Sequence, residues 1–280
     1  MPELPEVETV VRGLKKPLTG HVISKADIRR KNLRYPFPKG LAKDIEGASV
    51  RNISRRAKYI LIDLSNDKTL IIHLGMSGRM TVFDSRQDSY QKHDHFVLRF
   101  DNNSEAVLND ARRFGIVDIC DTDNLDAHKF FAHLGPEPLS NHFSPAYLQE
   151  KLLARKTPIK VALLDQKLVV GVGNIYASEA LFDSQIDPTR PANSLNKPEI
   201  NRLVPAIRRV LEAAIKAGGS SLRDYVQANG ELGYFQHNWA VYNKKGQPCP
   251  GCTCDPFMTG GIQKITQGGR STFYCPQKQN

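Results

Sequence analysis

The sequence predicts an α+β protein of more than one domain, and three observations carry that expectation. A stretch near the N-terminus has helical spacing, the residues after it break into brief β-branched and aromatic runs, and the second half returns to helical spacing. At 280 residues the chain can form two separate cores, given the usual ~100 to 200 residues per domain.

Between Leu4 and Leu14 the apolar residues Val7, Val10, Val11 and Leu14 share one helical face, with Gly13 or Gly20 available as a stop. YILIDL (59 to 64), TLIIHL (69 to 74), RMTVF (79 to 83), HFVLRF (95 to 100) and AVLND (106 to 110) then read as strands at sandwich or barrel spacing. The turn-forming segment from 135 to 145 reads as a linker. Beyond it, Ser144-Pro145 starts a helix through Leu153, Thr157-Pro158 starts another, and Asn174 to Phe182 suits a third. Pro198 to Ala217 suits a longer helix, with Ile200, Leu203, Ile207, Val210, Leu211 and Ala214 on one face and Gly218 as its stop. The C-terminal 40 residues are rich in Gly, Pro, Cys and Thr and hold too little apolar surface for a large core, so a metal is expected to hold them together.

The net charge of +10, with basic clusters at Arg29-Arg30-Lys31, Arg55-Arg56, Arg112-Arg113 and Arg208-Arg209, suits a polyanion partner, nucleic acid first. Charge alone also suits a merely soluble basic protein. There is no apolar run long enough to span a bilayer and no basic, hydrophobic leader, so a cytoplasmic protein without membrane attachment is expected. Of five cysteines, four lie from residue 249 onward, the pattern of a metal cluster rather than of a disulfide framework.

Pro2 carries a chemical reading of its own. Removal of Met1 would expose a secondary amine that titrates near ~8, with a useful neutral fraction at cellular pH. Such an amine can attack C1′ of a damaged nucleotide, expel the base and leave an iminium that promotes elimination of the phosphates. Glu3 and Glu6, next to it, can shuttle protons during ring opening and elimination, or can simply complement the helix dipole. Gly171 and Gly173 form a tight turn before a helix, where backbone amides and Asn174 can hold a phosphate; an ordinary structural turn fits the same string.

MPELPEVETV, SRRAKYI (54 to 60), HLGMSGR (73 to 79), KHDH (92 to 95), DARRFG (110 to 115), DQKLVVGVGNIYASEALF (165 to 182) and GGRSTFYC (268 to 275) occur in that order. Together they resemble the formamidopyrimidine-DNA glycosylases, in the helix-two-turn-helix family that also contains endonuclease VIII, over nearly the whole chain. The resemblance implies an N-terminal two-layer β-sandwich carrying the terminal helix. It also implies a C-terminal helix-two-turn-helix domain with a β-hairpin zinc finger, and DNA lying between the two. The corresponding divisions are a catalytic sandwich at 1–134, a linker at 135–143, a DNA-binding domain at 144–241 and a zinc-finger-type hairpin at 242–280.

By the same resemblance Pro2 is the nucleophile, Glu3 the acid/base and Glu6 its support, while Lys58 contacts a phosphate and disfavours protonation of the amine. Met76, Arg112 and Phe114 match residues that fill the void left by an everted nucleotide, because a base inside a duplex shields its sugar from attack. His93, Lys160, Gly173, Asn174 and Arg270 match DNA contacts, and the region from Ser220 to Tyr242 matches a loop that covers the everted base and is expected to be mobile without DNA. The implied activity is a bifunctional glycosylase and AP lyase for 8-oxoguanine and formamidopyrimidines, ending in β,δ-elimination. An endonuclease VIII-like enzyme for oxidised pyrimidines and a non-catalytic binder of damaged DNA are the alternatives. The implied partner of a monomer is double-stranded DNA containing damaged bases or abasic sites.

The finger departs from the family pattern of two C-x2-C pairs. Cys249 and Cys252 form the first, Cys275 begins the second, and Lys278 stands where the fourth cysteine belongs. A protonated lysine is no ligand. One zinc ion per monomer is expected on Cys249, Cys252, Cys254 and Cys275; a Cys249–Cys254 pair completed by water or Asp255, or a hairpin without zinc, are the other arrangements. With several Lys and Arg displacing counterions, affinity for duplex DNA should fall steeply from low to moderate salt in an anisotropy titration. A flat response would contradict the nucleic-acid reading.

Overall fold

The computed structural model describes residues 2–220, 228, 233–252 and 255–280. It divides into two compact units, Met1–His133 with Ile215–Gln236, and Leu134–Ala214 with His237–Asn280.

The first unit opens with helix α1 (Leu4–Leu18), whose start is fixed by the Glu3 N–H donating to Glu6 Oε2 at 2.8 Å. Gly13 does not end it, and the helix runs on to a left-handed Gly20 with φ 86°. Glycine is required at 13 for a different reason: a Cβ there would lie 2.7 Å from the Cβ of Ala228.

Two four-stranded antiparallel sheets follow. One has the order β1-β6-β7-β5, from β1 (Ile23–Ile28), β5 (Arg79–Phe83), β6 (Asp94–Phe100) and β7 (Glu105–Asn109). The other has the order β2-β3-β4-β8, from β2 (Val50–Arg56), β3 (Tyr59–Leu64), β4 (Lys68–His73) and β8 (Ile116–Asp121). A short α2 (Leu41–Ile45) lies between β1 and β2 in the chain. Alternate residues Ile60, Ile62 and Leu64 of β3 and Phe96, Leu98 and Phe100 of β6 enter one core with Val7, Val10, Leu14 and Leu18 of α1. This is the expected two-layer sandwich. The five strands with apolar runs match their predicted places within a residue or so, whereas β1, β2 and β8 lack that signal because charged side chains interrupt them.

The second unit is helical up to its C-terminal hairpin: α3 (Pro145–Leu152), α4 (Ile159–Leu163), α5 (Asn174–Asp183), α6 (Lys197–Lys216), α7 (Pro256–Thr259), β9 (Gln263–Gln267) and β10 (Arg270–Tyr274). The last residues of α6 fall in the first unit. Ser144 caps α3 by accepting the Tyr147 N–H at 3.2 Å. The stretch before α3 is tied down by Arg208, which donates to the carbonyls of Pro138, Ser140 and Phe143. Gly268 and Gly269, both left-handed, form the two-residue turn between β9 and β10. The C-terminal segment has more core than its composition suggests, because Phe182 of α5 and Val241 pack with Cys249, Ile262, Phe273 and Cys275. Among the described residues no helix is long and apolar enough to cross a membrane.

At the end of β4, His73 lies against Tyr59 with ring centroids 4.7 Å apart, and its Nδ1 accepts the Gly75 N–H at 3.0 Å. Burial, reinforced by the positive charges of Lys58 and Arg34, lowers its pKa from 6.5 to about 4. The imidazole is therefore neutral in the fold, and its contribution to stability is complete above pH 6.5 and lost as pH falls toward about 4. A shift of this size is worth on the order of 3 kcal/mol. Denaturant titrations of His73→Asn, which keeps an acceptor but cannot protonate, should show a shallower loss of stability across that window than the parent.

Candidate functional site

Each group of predicted residues falls within one unit. In the first, Pro2 and Glu3 are buried immediately before α1. Glu6 is buried too, and its carboxylate accepts two backbone N–H groups at 2.8 Å each, from Glu3 through Oε2 and from Ser220 through Oε1. Glu6 thus pins the helix start to the segment that follows α6. Its structural part is to position the N-terminus.

Lys58, also buried, sits in the tight turn between β2 and β3, where Ala57 is left-handed with φ 54°. Arg55 sets that turn against α1, donating from Nε to Glu8 Oε2 at 3.0 Å and from its guanidinium to the Ala57 carbonyl at 2.9 Å. Burial pushes the Glu8 carboxyl upward, but hydrogen bonds and charge from Arg55 and Arg12 outweigh it and hold Glu8 below the usual carboxylate value. Pro2, Glu3 and Lys58 thereby share one scaffold of helix and hairpin.

Met76, Arg112 and Phe114 are exposed on two loops, one between β4 and β5 and one between β7 and β8. Arg112 lies over the Phe114 ring, 5.0 Å from its centroid. The loops interlock, since a Cβ on Gly75, itself at φ 66°, would stand 2.4 Å from the backbone of Phe114. His93 is half-buried, and its carbonyl accepts the Asp110 N–H at 3.0 Å. Of the region expected to cover an everted base, residues 221–227 and 229–232 lie outside the described residues, and so does its expected mobility. Ser220 is held by Glu6, and the Ala228 carbonyl accepts the Val82 N–H at 2.8 Å.

The second unit gathers the other predicted contacts around the N-terminus of α5. Gly173 is the N-cap residue, and Asn174 opens the helix. Lys160, fully buried, donates to Asn174 Oδ1, and Asn174 Nδ2 donates to the Ser271 carbonyl at 2.8 Å and to the Tyr242 hydroxyl at 3.3 Å. Ser271 follows the exposed Arg270, so the glycine turn of α5 and the hairpin turn meet at one place. Sequence reasoning missed two members. Tyr242 stands 68 positions from Asn174. Glu179 accepts three N–H bonds, from Ala240, Val241 and Tyr242, and so holds Tyr242 in place. Burial raises the Glu179 carboxyl above the usual range despite those donors. A carboxylate in the otherwise uncharged string IYASEALF is the one signal that could have found it.

Cys249, Cys252 and Cys275 bring their sulfurs within 4.8 Å of one another. The Cys252–Cys275 separation of 3.7 Å lies near the edge of about 3.8 Å expected of a tetrahedron with ~2.3 Å zinc–sulfur bonds, whereas Cys249 and Cys252, 2.8 Å apart, stand closer than that edge. These three fit a metal. Cys254 lies outside the described residues, and Asp255 is occupied in capping α7, accepting the Phe257 N–H at 2.9 Å. Lys278 lies over the Phe182 ring at 4.2 Å and donates to the Pro250 carbonyl at 3.2 Å. It fastens the turn between Cys249 and Cys252 from outside.

Residues 1–117 match the formamidopyrimidine-DNA glycosylase N-terminal domain, and residues 134–226 match the formamidopyrimidine-DNA glycosylase H2TH domain. The proteins named formamidopyrimidine-DNA glycosylase in Dinoroseobacter shibae and Ruegeria pomeroyi are each 51% identical to the chain, over 100% of both sequences. Among solved structures, a Lactococcus lactis Fpg variant in complex with Fapy-dG containing DNA superposes with a TM-score of 0.90 at 35% identity, covering 100% of both chains. A complex of the Lactococcus lactis enzyme with abasic-site DNA gives 0.89 at 36% identity, covering 99% of both. Sequence and fold agree: the chain belongs to the formamidopyrimidine-DNA glycosylase family.

Proposed function

We propose that the protein is a bifunctional DNA glycosylase and AP lyase that removes 8-oxoguanine and formamidopyrimidines from double-stranded DNA and also acts at abasic sites. The observation that carries this reading is the burial of Pro2 and Glu3 at a chain end, where solvated, frayed residues are the rule. After removal of Met1, the Pro2 nitrogen attacks C1′ with its lone pair, the N-glycosidic bond breaks toward the base, and the proton shed by the new ammonium neutralises the departing base. Glu3 supplies a proton as the sugar ring opens. Loss of the C2′ proton from the resulting iminium then expels the 3′ phosphate, and a second elimination expels the 5′ phosphate. Lys58 contributes a buried positive charge that disfavours the protonated amine. Met76, Arg112 and Phe114 occupy the gap left by the everted nucleotide. His93, Gly173, Asn174 and Arg270 hold the phosphate backbone, with the buried Lys160 acting through Asn174, to which it donates. The enzyme is read as a cytosolic monomer, with the sandwich at 1–134 as its catalytic domain.

Borohydride trapping on duplexes carrying 8-oxoguanine tests the chemistry. A covalent adduct is expected with the processed chain and none when Met1 is retained, as verified by intact mass. Glu3→Gln should lower turnover by about 100-fold. Absence of an adduct in every form would remove the enzymatic reading and leave the DNA-binding one. Faster release of thymine glycol than of 8-oxoguanine would move the specificity to oxidised pyrimidines.

For the finger, Cys249, Cys252 and Cys275 are proposed to hold one zinc ion, which would supply structural cross-linking and no catalytic step. Elemental analysis of purified protein should give about one zinc per chain, with loss of the metal in Cys275→Ser. A ratio near zero in active enzyme would rule out the assignment.

A further inference from the structure

At the base of the two exposed loops lies Asp110, wholly buried. Its Oδ1 accepts the Ser77 hydroxyl at 2.8 Å, from the Met76 loop, and its Oδ2 accepts the Gly115 N–H at 2.7 Å, from the Phe114 loop. Ser77 Oγ in turn accepts the Arg112 N–H at 3.2 Å. The backbone of Asp110 is fixed as well, its carbonyl accepting His95 Nε2 and its N–H donating to the His93 carbonyl, both at 3.0 Å.

We propose that Asp110 and Ser77 are positioning residues that join the Met76 loop to the Arg112–Phe114 loop, so that the three exposed side chains enter a duplex as one rigid wedge. The inference rests on the glycosylase reading and assigns these two residues a part in eversion rather than in bond cleavage.

The chemistry requires this residue pair. Two donors arrive from opposite loops, and only a carboxylate offers two acceptors at that separation without rotation. A hydroxyl at 77 can donate to Asp110 while accepting from Arg112, so it bridges the loops, which an apolar side chain of similar size cannot do. The tips stand partly in solvent, Met76 38% exposed and Phe114 43%, and meet through the close approach of Gly75 to the Phe114 backbone. The Asp110–Ser77 bridge at their base adds a directional tie to that contact. A separation fixed before DNA arrives spares the complex the entropy of ordering two loops independently.

Ser77→Ala tests this, because it removes the bridge and leaves the Asp110–Gly115 bond. The expected result is a loss of about tenfold in turnover of 8-oxoguanine in a duplex, as for one buried hydrogen bond. Strand cleavage at an abasic site in single-stranded DNA, where no partner strand must be parted, should keep the parent rate. The fluorescence of 2-aminopurine opposite the lesion should rise more slowly than with the parent, and Ser77→Thr, which restores the hydroxyl, should recover both signals. Equal losses on the two substrates would show a general structural defect, and no loss on either would show that the bridge is idle; both overturn the proposal. A parent protein inactive on both substrates would instead refute the glycosylase reading itself.

Discussion

Pro2 and Glu3 are buried, and the group that ties this stretch down is one carboxylate. Glu6 accepts the N–H of Glu3 from within its own helix and the N–H of Ser220 from a segment 214 positions away. Both bonds are buried, where hydrogen bonds are strongest. Pro2, Glu3 and the first turn of α1 inherit their position from them. The Lys58 turn is located against the same helix by Arg55 and Glu8. The Glu6 clamp thus fixes the surroundings of residue 2.

How much of this was legible beforehand depended on distance along the chain. Helices with a local start signal, such as Ser144-Pro145, and strands with continuous apolar runs, such as YILIDL, stood out because their cause is local. β1, β2 and β8 did not, because charged side chains interrupt their apolar residues and the sheet environment decides their state. Gly13 misled for a related reason: its lack of a side chain answers to Ala228, not to the helix. In the site, Pro2, Glu3, Met76 and Phe114 could be picked out by their motifs. The groups that hold such residues could not, since Ser77 and Asp110 are 33 positions apart, and Glu179 and Tyr242 are 63 apart.

The C-terminal hairpin shows how a degenerate ligand pattern can still belong to an ordered segment. Composition suggested that a metal alone would hold it, but Phe182 and Val241 lend it apolar neighbours. Gln279 adds polar ties, accepting the Cys275 N–H and donating to the Ile186 carbonyl. Lys278 is part of the same arrangement. Standing where a fourth sulfur belongs, it reinforces the Cys249–Cys252 turn by a hydrogen bond and a cation–π contact.

One pattern recurs through both units: the carboxylates that organise the structure point inward. Among the described residues Glu3, Glu6, Glu105, Asp110, Glu179 and Glu199 are buried, whereas the only buried lysines and arginines are Lys58 and Lys160. Acids are thus spent on internal N–H, hydroxyl and guanidinium donors, and most of the arginine and lysine is left outside. The shell that meets surrounding ions is therefore more cationic than the composition alone implies. During purification such a molecule will be retained on cation exchangers and will carry host polyanions with it until the ionic strength is raised.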